Sequence, residues 1–180
     1  MDVLQEGKGE LIGWHDPDEN RKWILENKSR DLKDKRTTVK KAVEKYIKDS
    51  SFIAFGGFGH IRVSMAVIYE IIRQKKRNLI FAGKTAVHDS DLLIASGCVN
   101  KIEVAYAFAH ELRGLSPASR RLVEEGKCEV IAEISNAGYQ WRFLAAMMGV
   151  PFIPTRNLLG SDTKSRFKIC SIREKNFKKD

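Results

Sequence analysis

From residue 37 onward the chain alternates between two hydrophobic periods. TTVKKAVEKYIKD places Val39, Ala42, Val43, Tyr46 and Ile47 at i, i+3, i+4, i+7 and i+8. That is the stripe of an amphipathic helix, with Thr37 or Thr38 as its cap. Short apolar runs then interleave with helical segments: FIAF (52–55), a helix over 63–76, NLIFA (78–82), a helix over 90–96 and KIEVAYA (101–107). A helix over 116–126, CEVIAEI (128–134), a helix over 138–148 and PFIPT (151–155) complete the series. This alternation predicts an α/β fold with an open, mainly parallel sheet and helices on both faces. Ligands of such sheets gather at the carboxyl ends of the strands. Chemistry is therefore expected in the loops 56–62, 83–91, 108–115, 135–140 and 155–162.

Residues 1–36 lack the alternation. They read as a polar extension with Trp14 and Trp23 as isolated anchors and a short helix near 18–28. Residues 37–163 form the expected α/β domain and 164–180 a basic tail. With 43% hydrophobic and 31% charged residues the composition is that of an ordinary globular domain. No apolar run approaches the ~20 residues that span a bilayer. The acids and proline near the start do not resemble a secretory signal, so a cytoplasmic location without a membrane partner is expected.

The net charge of +9 invites a search for nucleic-acid chemistry, but the last twenty residues hold 7 basic and 3 acidic groups. That places nearly half of the excess in a short solvated tail and leaves the compact part only mildly basic, and no nucleic-acid motif is visible. Cys98, Cys128 and Cys170 are far apart, with no C-x-x-C pair. They read as reduced structural thiols. His15, His60, His88 and His110 lack the i, i+4 spacing of a helical metal pair, so no metal site is expected.

Gly56-Gly57-Phe58-Gly59 lies between a strand and a helix. Glycines there permit positive φ and bring backbone N–H groups close to a ligand, although a tight strand-to-helix turn can be glycine-rich for packing alone. A dinucleotide fingerprint read from Gly57 fails, because Arg62 stands where the third glycine belongs and Gly83-Lys84 where the ribose-binding acid belongs. Arg62 offers a guanidinium fork suited to a carboxylate, or is simply an exposed arginine at a helix start. His110 and Glu111 sit at a strand end, where an acid/base role and a structural hydrogen-bonding role are both open. His88, Asp89, Ser90 and Asp91 read as a helix cap. Asn136, Tyr139, Gln140 and Arg142 are polar candidates near the next loop, although the Trp141, Phe143 and Leu144 interleaved with them read as ordinary core, while Ser161 and Asp162 read as a turn.

The segments GGFGHIRVSMAVIYEIIR, FAGKTAVHDSDLLIASGCV, VAYAFAHELRGLSPASRRLVEEG and SNAGYQWRFLAAMMGVPFIPTRNLLGSDT occur in the order and spacing of one family. Together with EGKGELIGWHDPDENRKW near the start, they resemble the alpha subunit of a class I coenzyme A-transferase, especially the glutaconate CoA-transferase-like group. The resemblance covers roughly residues 5–163. It implies a CoA-transferase (NagB/RpiA-like) fold, acyl-CoA and a small carboxylic acid as substrates, no tightly bound cofactor, and a beta-type partner in a hetero-oligomer.

It further implies ping-pong transfer through a glutamyl-CoA thioester, with the nucleophilic glutamate on the beta-type chain. Gly56, Gly57, Phe58 and Gly59 then become oxyanion and acyl-CoA-binding candidates. Arg62, His110, Asn136 and Gln140 become substrate-binding candidates, and Glu111 an acid/base candidate. Two departures are evident. Many members follow the glycine turn with G-x-P where this chain has Arg62-Val63-Ser64, and family alpha subunits usually continue with further strands beyond LLGSDT. The competing readings are part of a CoA-thioester hydrolase or ring-opening hydrolase, and a noncatalytic binding or assembly module.

Overall fold

The computed structural model describes residues 16–107, 109–110, 114–150, 152–158 and 161. Residues 30–140 form one compact unit, and residues 1–29 with 141–180 group into a second. In the second, α1 (Pro17–Asn27) starts where Asp16 accepts the N–H groups of Asp18 and Glu19, with proline at the first helical position. Arg21 joins α1 to the chain further on, donating to Asp18 at 2.8 Å and to the Gly149 carbonyl at 2.6 Å.

The larger unit opens with α2 (Val39–Tyr46), capped by Thr38 through the Lys41 N–H. There follow β1 (Phe52–Ala54), α3 (Met65–Arg73), β2 (Leu79–Gly83), α4 (His88–Ala95), β3 (Val99–Val104), β4 (Ala109–His110), β5 (Gly114–Leu115), α5 (Pro117–Glu124) and β6 (Glu129–Glu133). The helix α6 (Asn136–Met148) comes last. The open, mainly parallel sheet expected from the alternation is present: β1, β2, β3 and β6 lie side by side in that order, every pair parallel. A row of helices, α2 on α3, α3 on α4 and α4 on α5, accompanies it.

The apolar period explains the core. Ile68 and Ile71 of α3, Leu93 of α4, Leu79 and Phe81 of β2 and Ile102 of β3 are each fully buried in one cluster. Phe55, at the end of β1, stacks on Phe81 with ring centroids 6.0 Å apart. Cys98 and Cys128 are buried free thiols, and burial pushes the Cys128 thiol up to about 11, so it behaves as a small apolar group at neutral pH. Cys170 lies outside the described residues.

Element boundaries shift for local reasons. The helix expected over 63–76 is shorter because Arg62 (φ 59°) and Lys75 (φ 53°) adopt left-handed backbone on either side of it. At its end the Lys76 N–H bonds to the Ile71 carbonyl and the Lys75 N–H to that of Ile72, a Schellman closure with lysine in the usual glycine position. The strand expected at 151–155 is not found among its described residues, 152–155. Pro151 and Pro154 remove two ladder donors from that run. The short antiparallel pair β4–β5 carries no pattern long enough to predict.

Candidate functional site

Three loops at the carboxyl ends of β1, β2 and β3 are joined edge to edge. Gly59 bridges Ala86 and Ala86 bridges Ala107, through bonds from the Gly59 N–H to the Thr85 carbonyl (3.1 Å) and from the Ala86 N–H to the Tyr106 carbonyl (2.9 Å). The glycine turn is a small hairpin within this rim. Phe58 and Ile61 exchange both backbone hydrogen bonds at 3.0 Å, and Gly59 occupies the first corner with φ 58°. Gly57 has φ 131°, and a Cβ there would lie 2.9 Å from the Arg62 carbonyl oxygen. These two glycines answer to the hairpin itself. Gly56 differs: its backbone is ordinary and a Cβ would meet nothing within 4 Å.

The hydrogen-bond accounting divides the four turn residues differently, with Gly57 on the open side. The amides of Phe58 and Gly59 are consumed by Ile61 and Thr85, whereas those of Gly56 and Gly57 have no partner among the described residues. Phe55, Gly56, Gly57, Phe58, Val63, Lys84, Thr85 and Asp89 enclose a recess here with space for about one water-sized group. Lys84 stands with its ammonium 5.7 Å from the centre of the Phe58 ring and forms no ion pair among the described residues. The recess thus joins backbone donors and one cation.

Asp89 completes the wall from α4. It is 6% exposed, and its Oδ1 accepts the Val87 N–H at 2.9 Å and the Ser90 N–H at 3.0 Å. This is the capping role expected of the His88–Asp91 cluster, although the helix begins at His88 rather than residue 90. Burial raises the Asp89 carboxyl above the ordinary aspartate range, against the lowering effect of those backbone bonds. Asp91 has a different task, accepting the Ser119 hydroxyl of α5 at 3.0 Å.

One contact had no signal in the sequence. His60, at the hairpin tip, places Nδ1 3.0 Å from Nε2 of His88, which clips the β1–α3 turn to the first turn of α4. The two residues are 28 positions apart, so no spacing rule links them. Among the described residues no group of three or more His, Cys, Asp or Glu is arranged to hold a metal.

The other candidates are not in the recess wall. Arg62 is exposed at the foot of the hairpin, and Asn136 and Gln140 are exposed on α6. His110 pairs through its backbone with Gly114 in the β4–β5 ladder, while Glu111 and Asp162 lie outside the described residues. Ser161 donates its hydroxyl to the Leu158 carbonyl at 2.8 Å, the contact of a turn.

Comparison with known proteins gives this rim a context. The chain is 59% identical over 174 residues to an uncharacterized protein of Archaeoglobus fulgidus, covering 97% of this chain and 39% of that one. The A-subunit of glutaconate CoA-transferase from Acidaminococcus fermentans is 31% identical, over 73% of this chain and 41% of its own length. For the A-subunit of 3-oxoadipate CoA-transferase from Pseudomonas knackmussii the figures are 33%, 69% and 44%. The crystal structure of glutaconate coenzyme A-transferase from Acidaminococcus fermentans superimposes with a TM-score of 0.67 at 31% identity, over 74% of this chain and 42% of that one. A variant of the decarboxylase AibA/AibB gives 0.59 at 31% identity, over 66% and 45%. The chain therefore spans about two-fifths of the length of the relatives it matches. The profile of the coenzyme A transferases matches residues 36–178, from α2 through the whole sheet, and the chain belongs to the coenzyme A transferase family.

Proposed function

We propose that this chain is the alpha-type part of a CoA-transferase that moves CoA from an acyl-CoA to a small carboxylic acid of the glutaconate or 3-oxo acid type. One observation carries the reading: the amides of Gly56 and Gly57 have no partner among the described residues, at the carboxyl ends of a sheet whose relatives are named as A-subunits of such transferases. Preorganised backbone donors of this kind stabilise the negative oxygen that forms when a thioester carbonyl is attacked. Lys84 adds positive charge at the same wall.

In this reading the nucleophile is a glutamate of a beta-type partner. Its carboxylate attacks the thioester carbonyl, the C–S bond breaks and CoA leaves as thiolate, which gives an acyl-glutamyl anhydride. The thiolate then attacks the glutamyl carbonyl and releases the first acid as its carboxylate. The incoming acid repeats the sequence in reverse. The alpha-type chain supplies the wall against which each carbonyl oxygen turns anionic. Of the four turn residues, Gly56 and Gly57 take the donor role, and Phe58 and Gly59 hold the turn.

A second reading, decarboxylation of a CoA-linked acid, draws on the likeness to the decarboxylase AibA/AibB. The test is acyl-CoA conversion by this chain with and without a beta-type protein, across glutaconyl-CoA, acetyl-CoA and 3-oxoacyl-CoA donors with several acids. Appearance of the acceptor's CoA ester in the mixture alone is the expected result. Free CoA without an acceptor identifies hydrolysis, and release of carbon dioxide identifies decarboxylation. Full transfer by the isolated chain contradicts the proposed division of labour.

A further inference from the structure

Asp89 is more than a helix cap. Its Oδ1 is occupied by the Val87 and Ser90 amides, but its Oδ2 makes no hydrogen bond among the described residues, and the side chain lines the same recess as the Gly56 and Gly57 amides and Lys84. A residue only 6% exposed that lines a space for about one water-sized group, with one carboxyl oxygen fixed by two amides and the other without a hydrogen bond among the described residues, determines what can enter beside it. Two ionised carboxylates at hydrogen-bond range repel strongly, and such pairs hold one proton between them.

We propose that Asp89 makes this recess a proton-coupled carboxylate site, in which an acid bound as its anion enters together with one solvent proton taken up by Oδ2 of Asp89. The balance is simple. An O–H bond forms on Oδ2, the proton comes from the buffer acid, and the new hydroxyl donates to one oxygen of the bound carboxylate while the glycine amides and Lys84 meet its charge. A thioester carbonyl, being neutral, carries no such proton requirement. Asp89 therefore distinguishes the acid from the acyl-CoA in the site, a discrimination that rests on the reading of the recess given above.

The charged and titratable groups around Asp89 support this polarity. Lys84 comes from the β2–α4 loop, His88 precedes it on α4, His60 of the hairpin is held to His88, and Arg62 stands at the hairpin foot. Asp91, the next acid on α4, is turned to Ser119. Burial already biases Asp89 towards its protonated form, in the direction the coupling requires.

The test uses the full chain with acetate and glutarate as probes. Calorimetry at one pH in phosphate and in Tris, buffers of different ionisation enthalpy, reads proton uptake, and amide NMR signals of Gly56 and Gly57 report where the probe sits. The Asp89→Asn variant keeps a carbonyl oxygen for the two backbone donors and presents an N–H to the ligand. The wild type is expected to take up close to one proton per carboxylate bound, with affinity falling by up to about tenfold per pH unit once Asp89 is ionised in the free protein. Asp89→Asn is expected to bind without uptake and without that pH dependence. Binding by the wild type with no proton uptake, or the same uptake by Asp89→Asn, overturns the role of Asp89 and leaves the recess a carboxylate site. Absence of heat and of Gly56 and Gly57 shifts in both proteins overturns the proposal together with the reading of the recess.

Discussion

The buried face of the sheet and the rim at its carboxyl ends obey opposite rules. Ile68, Ile71, Leu79, Phe81, Leu93 and Ile102 are fully buried, apolar and placed by simple periodicity. At the rim, a few residues away, Phe58 and Ile61 are more than half exposed while the carboxyl group of Asp89 is buried. Two glycine amides there lack partners among the described residues, and two histidines from different loops touch. A core that satisfied every group would have no donor left for a ligand. The rim leaves the exposed amides of Gly56 and Gly57 to water, which a ligand can replace, while the helices and strands beneath it carry the fold.

The sharpest way to break the first half of this contrast is Phe81→Ala. Removing a fully buried ring that stacks on Phe55 should cost about 3–5 kcal/mol in denaturant unfolding and lower stability throughout the larger unit. Gly57→Ala tests the second half. Its Cβ would approach a backbone oxygen, which cannot swing aside, and its φ is one that side chains avoid. A loss of about 2–3 kcal/mol is expected, with disruption of the 58–61 hairpin visible in amide NMR.

A smaller effect should come from Asp89→Asn, and its sign is set by burial. Because the folded-state pKa lies above that of the unfolded chain, the stability this group contributes is fully present below the unfolded value of about 4 and is lost as pH rises through the folded value. The variant does not suffer that loss. Its unfolding midpoint should gain on the wild type as pH rises above about 4, and the advantage should vanish on acidification below that. An advantage that grows on acidification contradicts the assigned cause.

The fold was legible where hydrophobic spacing alone decides it. The α2 stripe, the four parallel strands and the helices between them follow from apolar positions at helical or strand spacing, with Thr38 supplying the α2 cap. PFIPT misleads because an apolar run with β-branched character still needs ladder donors, and two of its five residues are prolines. The site was legible only in outline. GGFG marks the turn, but the spacing of its glycines does not show that Gly57 and Gly59 serve the hairpin while Gly56 is left open. That distinction depends on where the Arg62 carbonyl and Thr85 come to lie. His60 and His88 meet only because the β1–α3 and β2–α4 loops are adjacent in space, and a capping aspartate gives no sequence sign that it also lines a recess.

Gly56 offers the most direct test of the central claim, that the open part of the turn is the acyl-binding wall. The measurement is the CoA-transfer rate of Gly56→Ala assembled with a beta-type chain, taken beside its unfolding midpoint. Since a Cβ at Gly56 strikes nothing in the fold but stands at the wall of the recess, the expected result is at least about a tenfold loss of transfer with stability changed by less than about 0.5 kcal/mol. Wild-type transfer by an equally stable Gly56→Ala protein would contradict the account.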